Sequence, residues 1–388
     1  MNLTTKERHW LPIFGSTGKL AMKKACWLNR GLKESLAHTF TNIANTRVRI
    51  LESWVNTQWH FLTDASLYIA SKKESEWNSA LQGLLKRNND FSELFILTSD
   101  GTLVCSSTTS YANRQIDKRV LEKGLQAPFL HGPYVDPLTK SIGPSSSSFH
   151  DAVTLMYYQP LTVNDEVIGC LCGRVPNDVM GDLIQREAGH VYSESGDNYI
   201  FMVESKLDNS ISPGTALSRS RFEDNTFSHG ENLKSGVTTQ WGTVKVKDHT
   251  EFEIRFTDPA TQQLHPGVRE TISKGENIYV SYPGYSDYRH IPVIGKGVTF
   301  QLQGSPDVWG MMCEADLEEV YRQRSLTYTV AKKLSLAMSL PVISTIIANS
   351  YFDLSTLQSN LLLIFTSLLG LIGLTFLLSN LLPPVYAI

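Results

Sequence analysis

From residue 32 to about residue 70 the pattern has a helical period. Ile43, Arg47, Ile50, Trp54, Gln58, Phe61, Ala65 and Ile69 recur at three- and four-residue steps, with Leu51, Val55 and Leu62 beside them. No Pro or Gly interrupts residues 32–82. The spacing predicts one long helix. Its stripe is wide and includes Arg and Gln, so it departs from a strict coiled-coil seam. Two readings stay open, pairing with a second helix and packing on a domain of the same chain.

A second helical stretch is expected at 75–86, and the period then shortens. Residues 94–98 read as a strand, Asp100-Gly101 as a hairpin turn and 103–105 as the partner strand. A helix is expected over 113–126, followed by a polar, Pro- and Gly-rich stretch over 128–148. A strand at 152–158, a turn at Asn164-Asp165 and a closing strand at 167–174 complete a small antiparallel sheet with helices on one face. After a connecting helix at 178–188 the outline repeats. Strands are expected at 199–203, 241–246, 250–256, 278–282, 297–302 and 309–314, with a long polar loop up to residue 239. Asp316 begins a last helix. The repeat is one of architecture, since no residue-by-residue period accompanies it.

The two ends differ. Residues 361–382 carry no charge and are rich in Leu, Ile and Phe, long enough to cross a hydrocarbon core of about 30 Å. Pro383 and Pro384 close the run. Residues 334–352 also lack charge, although Pro341, Asn349 and several serines interrupt them, and Lys332 and Lys333 precede them. If both segments span, they form a hairpin with the basic cluster in the cytoplasm. If only the second spans, the first is a stalk or amphipathic helix. Residues 1–30 do not have the form of a signal peptide, because Lys19, Lys23 and Lys24 interrupt the apolar positions. The string from Gly15 to Leu20 is not a phosphate-binding loop: Ile13 stands where the leading Gly belongs, and Leu20 where Ser or Thr belongs.

Composition narrows the function classes. Of 388 residues, 41% are hydrophobic and 19% charged, and the net charge of −3 is interleaved along the chain. No one-sign surface of the kind that nucleic acid requires is encoded. The five cysteines, Cys26, Cys105, Cys170, Cys172 and Cys313, are odd in number and irregular in spacing, which is no disulfide framework. Cys170 and Cys172 share one face of a strand and read as core residues rather than metal ligands. The histidines show no metal-binding spacing, so neither a metal nor a cofactor is expected. The run Ser145 to Ser148 with His150 and Asp151 holds the residue types of a hydrolase. Adjacent residues rarely form a triad, and no Gly-x-Ser-x-Gly elbow is present. A polar loop entering a strand is expected there, and no catalytic residue is assigned.

With these elements in order, the chain resembles the double Cache sensor region of bacterial methyl-accepting chemotaxis receptors. Phe95 to Val104 is similar to the first hairpin of the membrane-distal module. Gly132-Pro133-Tyr134-Val135-Asp136, then Val153 to Pro160 and Val167-Ile168-Gly169, look like its loop and closing hairpin. Tyr288 to Gly295, Trp309-Gly310 and Glu314-Ala315-Asp316 look like the closing strands and exit helix of the second module. The resemblance covers about residues 38–325. It implies an α+β fold: a long N-terminal helix, two tandem Per-Arnt-Sim-like antiparallel-sheet modules and a C-terminal transmembrane helix. The expected segments are 1–31, a long helical region 32–90, a distal module 91–190, a proximal module 191–325, and 326–388 with the exit helix and anchor.

The resemblance implies the ligand-sensing region of a transmembrane signalling receptor, not an enzyme. A chemotaxis receptor is the first reading, with the cytoplasmic signalling coil expected to be absent after residue 388 and no span expected before the long helix. A sensor of a histidine kinase or diguanylate cyclase, and a stand-alone membrane-anchored binding protein, are the alternatives. The expected partners are a small molecule of unknown class, the bacterial inner membrane and a second copy paired along the long helix. The side of the membrane stays open: the family places the sensor in the periplasm, whereas the lysine flank favours the cytoplasm. The residues expected at the ligand are Arg119, Tyr134, Asp136, His150, Asp151 and Tyr157. Arg119 is suited to a ligand carboxylate, and Asp136 or Asp151 to an amine. The Trp-Tyr pair that amino-acid-binding members carry on their helix is not matched, since Val120 and Leu121 follow Arg119. An amino-acid ligand is therefore not implied.

Overall fold

The computed structural model describes residues 1–108, 116–142, 145–147, 151–187, 190–222, 235–239, 242–246, 251–322, 326–352 and 354–379. The chain divides into two units, Met1–Met22 with Leu32–Val320 and Lys23–Gly31 with Tyr321–Ile388.

Two short helices, α1 (Thr5–His9) and α2 (Lys19–Leu28), precede the long helix α3 (Lys33–Ala70). The α3 stripe turns inward. Leu36, Phe40, Ala44, Arg47, Leu51, Trp54, Val55, Gln58, Leu62, Ala65 and Ile69 are buried, whereas Ile43, Ile50 and Phe61 lie at its margins. The helix packs on strands of both sheets described below, so its length is set by having to cover two modules.

The first module starts with α4 (Trp77–Leu85) and the hairpin β1 (Glu93–Thr98) and β2 (Leu103–Ser106). It continues through α5 (Lys118–Gln126), β3 (Phe129–Val135), α6 (Pro137–Ile142), β4 (Val153–Val163) and β5 (Glu166–Pro176). The sheet order is β2-β1-β5-β4-β3, with every pair antiparallel. Asn164 and Asp165 join β4 to β5 with φ of 51° and 66°, the left-handed pair that a tight hairpin needs. Two expectations change. The helix expected from residue 113 begins at Lys118, because Asp117 caps it by accepting the Arg119 backbone N–H at 2.9 Å; residues 109–115 lie outside the described residues. The stretch expected as a loop over 128–148 contains β3 and α6. Gly132 and Pro133 hide the strand in the sequence, and an edge position makes both tolerable.

The second module follows α7 (Asp178–Asp182) and a π-helical turn, Leu183–Glu187. Its elements are β6 (Asp197–Glu204), the small hairpin β7 (Val237–Thr239) and β8 (Gly242–Val244), α8 (Pro266–Lys274), β9 (Glu276–Tyr279), β10 (Tyr285–Ser286), β11 (Pro292–Phe300), β12 (Val308–Asp316) and α9 (Leu317–Arg322). The order β10-β11-β12-β6, with β9 also on β11 and Ala216 bridged to Phe201, repeats the first sheet in outline. The strand expected at 250–256 is not formed: 251–253 make a turn in which Phe252 has φ of 60°. Helix α8 was not anticipated, although it carries ordinary signals, with His265 capping the Val268 N–H, Pro266 in the first turn and Gly275 at φ 80° beyond the end.

Each sheet is covered on both faces. Leu94, Ile96, Leu155, Tyr157, Leu171 and Val175 of the first sheet join α3 and the inner residues of the second sheet in one core. On the other face Phe95, Leu97, Met156, Tyr158, Cys170 and Cys172 meet Val120 and Leu121 of α5. Tyr199, Phe256, Val268, Tyr288 and Met312 form the outer core of the second module.

In the second unit α10 (Leu326–Phe352) and α11 (Thr356–Ser379) pack as a hairpin. Ser359 Oγ donates to Asn349 Oδ1 at 2.6 Å near the turn, and Gly370 lets the two backbones approach at Ala337. Stretches Val330–Phe352 and Thr356–Thr375 are long and apolar enough to cross a membrane. Leu336, Leu340, Ile346 and Phe352, like Leu361, Phe365, Leu368 and Ile372, stand exposed around both helices. Apolar side chains on all faces fit a lipid surround.

Candidate functional site

The outer face of the first sheet opens into a cleft of about 970 Å³. Alternation along the strands chooses its floor. Phe95 of β1, Met156 and Tyr158 of β4 and Arg174 of β5 point to this face, and His131 and Tyr134 of β3 close one side. The start of α5 contributes Asp117 and Arg119, and the loop from Val135 to Leu138 leads over the rim into α6. The opposite wall comes from the second module, through Leu207, Asp208, Ser210, Ile211, Thr215 and Phe252. A cavity of this size, with an apolar floor and a few convergent polar groups, matches the anatomy of small-molecule sites.

Arg174 organises the polar part. Its Nε donates to Glu93 Oε2 at 3.0 Å, and its Nη1 donates to Asp136 Oδ2 at 2.5 Å and to Thr139 Oγ1 at 2.7 Å. Arg174 and Glu93 are directly opposite each other on adjacent strands, so register alone brings them together. Glu93 is fully buried and also accepts Ser106 Oγ at 2.6 Å and Thr108 Oγ1 at 3.1 Å. Burial works against the Arg174 charge, but the carboxylates of Asp136 and Glu93 outweigh it and hold the guanidinium above its ordinary pKa. Asp136 keeps part of its carboxylate open to the cleft and accepts the Tyr134 hydroxyl at 3.4 Å.

His131 stacks on Tyr134 with ring centroids 4.1 Å apart. Burial pushes its imidazole down to about 4, so it is neutral near pH 7 and presents one donor and one acceptor. Burial and then Asp136 raise the Tyr134 phenol, which stays protonated. At the mouth Arg119 pairs with Asp117, Nη2 to Oδ2 at 2.7 Å, and the pair is well exposed. Hydrogen bonding to Arg119 holds the Asp117 carboxyl below its usual value. The cleft thus combines three carboxylates, Asp117, Asp136 and Asp208, with two guanidinium groups and a neutral imidazole.

Of the residues expected at the ligand, Arg119, Tyr134 and Asp136 line this cleft together. Tyr157 faces the other way, against Trp59 of α3 at 4.9 Å, and its neighbour Tyr158 takes the cleft side. Asp151 stands ahead of β4, accepting the Val153 N–H at 2.7 Å, and groups with Asp178 and Glu251 instead. His150 lies outside the described residues. Ser146 Oγ donates to Asp90 Oδ1 at 2.6 Å. Arg174, Glu93 and His131 were not anticipated. The available signal was a single Arg alternating with Cys170 and Cys172 in a strand that is otherwise apolar.

The corresponding face of the second sheet is filled by Tyr199, Phe256 and Tyr288, whose rings pack at 4.2 and 5.3 Å about Phe256. Beneath them Glu314 accepts the Tyr199 and Tyr285 hydroxyls at 2.8 Å each. Burial drives the Glu314 carboxyl up to about 8 and the adjacent His265 imidazole down to about 3.

No protein-family model matches the sequence. No curated protein matches it either. Solved structures similar to the chain include the ligand-binding domain of the Pseudomonas aeruginosa PAO1 amino acid chemoreceptor PctB in complex with L-Arg. It is 14% identical over 75% of this chain and 100% of that one, with a TM-score of 0.43. The ligand-binding domain of the Pseudomonas fluorescens chemoreceptor CtaA in complex with L-isoleucine is 11% identical over 76% of this chain and 97% of that one, at 0.43. That of the Campylobacter jejuni chemoreceptor Tlp3 in complex with L-norvaline is 11% identical over 74% and 92%, at 0.45.

Proposed function

We propose that the chain is the ligand-sensing region of a bacterial transmembrane receptor of the chemotaxis type, taking up a small polar molecule in the cleft of its first module. The observation that carries this reading is the cleft itself: about 970 Å³, floored by an apolar sheet face and rimmed by Arg119, Asp117, Asp136 and Asp208. Its walls come from both modules, so a bound molecule acts on their mutual arrangement, and it shifts that arrangement only by its differential affinity for the two states. Helix α3, packed on both sheets, is the element through which such a shift leaves the sensor. The proposal includes α10 and α11 crossing the membrane as a hairpin and two copies pairing along the outward face of α3, where Leu67 and Tyr68 are exposed.

The test is a thermal-shift screen of small metabolites against the full chain in detergent, since a ligand of the folded state raises its melting temperature. A hit whose shift disappears in Asp136→Asn or Met156→Trp supports the reading. Hits that shift the parent and both variants equally contradict it.

A further inference from the structure

We infer, on the reading of α10 and α11 as membrane spans, that α2 is an interfacial helix whose outer face rests on the anionic surface of the same bilayer. A helix turns by about 100° per residue, so Leu20 and Trp27 of α2 lie one above the other to within about 20°. Lys23 and Lys24 stand between them, one on each side of that line. All four side chains are exposed, Leu20 to 60% and Trp27 to 63%. Met22 and Asn29, at the same spacing on the opposite side, are buried. The helix therefore has an inner face and an outer one, and the outer face is apolar along its middle and basic along its edges. A contiguous apolar stripe with a polar rim marks an interaction surface.

Charge decides the occupant. Between Glu7 and Glu34 the chain has no acidic residue, whereas Arg8, Lys19, Lys23, Lys24, Arg30 and Lys33 are basic. The Arg30 guanidinium lies over the Trp27 ring, 5.2 Å from its centroid, so cation and indole share one outward face. Phe14, ahead of α2, is 77% exposed. Aromatic rings at headgroup depth, with Lys and Arg reaching lipid phosphates, are the chemistry of a helix lying on anionic lipid.

Placement agrees with charge. Residues Lys23–Gly31 group with the hairpin helices and not with the sheet modules. Asn29 Nδ2 donates to the Tyr321 carbonyl at 3.2 Å, a buried contact. Val330, where the first apolar stretch begins, follows Tyr321 by nine residues, which reach at most about 30 Å. The C-terminal end of α2 is thus tethered close to the first span. Helix α3 begins at Lys33, directly after the turn Arg30–Leu32. An α2 seated among headgroups fixes the starting end of the helix that covers both sheets.

The experiment uses tryptophan quenching, because the chain has no Trp from residue 326 onward and the spans are silent. The full chain is reconstituted into vesicles of brominated phosphatidylcholine, with and without brominated phosphatidylglycerol, and the fluorescence of the parent is compared with that of Trp27→Phe. The expected result is quenching in the parent that is largely absent in Trp27→Phe and stronger with phosphatidylglycerol. It should fall by about half or more when Lys23→Glu and Lys24→Glu are combined. Those positions are exposed, so the melting temperature of the double variant should match the parent. Flotation of the vesicles in about 1 M salt, which screens surface attraction, tests the spans separately. A chain that floats in salt while Trp27 stays unquenched in both lipids overturns the interfacial helix and leaves the spans standing. Quenching of Trp27 with release of the chain by salt supports the helix and removes the spans. Undiminished quenching in the folded double variant overturns the role of anionic lipid. Absence of quenching with disulfide-linked dimers of Leu20→Cys overturns the lipid assignment and gives the face to a second copy.

Discussion

Arg174 reaches Asp136 across the floor of the cleft, Nη1 to Oδ2 at 2.5 Å, with the guanidinium almost wholly buried and the carboxylate partly open. The same guanidinium holds Glu93, which has no exposure at all. Removing the arginine therefore takes a buried ion-pair partner from both acids. Arg174→Met should cost about 3–5 kcal/mol, the range for breaking one side of a buried ion pair. Adding Glu93→Gln should recover part of that loss. Melting of the two variants followed by tryptophan fluorescence checks this, and equal melting temperatures would show that the cost of losing Arg174 does not run through Glu93.

Tyr157 and Tyr158 are adjacent on β4 and serve opposite faces. The Tyr157 hydroxyl is buried without a hydrogen-bond partner, so Tyr157→Phe should change stability by no more than about 1 kcal/mol and leave ligand affinity unchanged. Tyr157→Ala opens a hole against Trp59 and should cost about 3–5 kcal/mol. Tyr158→Ala should instead weaken ligand binding, because that ring lines the cleft. Paired melting and binding measurements separate the two residues.

The pH dependence has two opposed arms. Glu314, pushed up to about 8 chiefly by burial, binds its proton more tightly in the folded chain than in the unfolded one. Its contribution is full below the ordinary carboxylate range and is lost as pH rises toward 8. His265, driven down to about 3 by burial, works the other way: its contribution is present above about 6.5 and is lost as pH falls. Glu314→Gln should flatten the alkaline side of a stability profile, and His265→Gln the acid side. A profile from pH 4 to 9 on each variant gives the answer, and an unchanged alkaline slope in Glu314→Gln would contradict this assignment.

For the hairpin proposed for α10 and α11, one cysteine in the first sheet module and one in the turn after the first span report opposite sides of the membrane. Ser355→Cys, in the turn between the two helices, should react with an impermeant maleimide from one side, and Asp165→Cys, at the exposed β4–β5 turn, from the other. The native Cys105 is a poor reporter, because burial pushes its thiol up to about 11. Labelling of both engineered cysteines from the same side would rule out two spans.

The features legible in the sequence are those with an undisturbed period. The α3 stripe, the Asp100-Gly101 turn and the pairing of β4 with β5 follow from spacing and turn chemistry alone. Strand β3 did not, because Gly132 and Pro133 break the alternation at a sheet edge where the ladder tolerates them. The turn at 251–253 was mistaken for a strand, because alternating apolar residues do not reveal the left-handed Phe252. At the cleft, three of the residues expected from their type, Arg119, Tyr134 and Asp136, lie together in the lining. Tyr157 lies on the core face and Tyr158 on the cleft face, a one-position difference that in a strand separates the two. Arg174 and Glu93 find each other through strand register, a relation between residues 81 positions apart that no local pattern contains.

The most direct test of a ligand in this cleft is hydrogen–deuterium exchange on the full chain, with and without a compound that raises its melting temperature. A ligand seated there protects Phe129–Val135, the first turn of α5 and residues 207–211 of the facing loop, and that protection disappears in Met156→Trp. Protection confined to other segments, with these three unchanged, would contradict it.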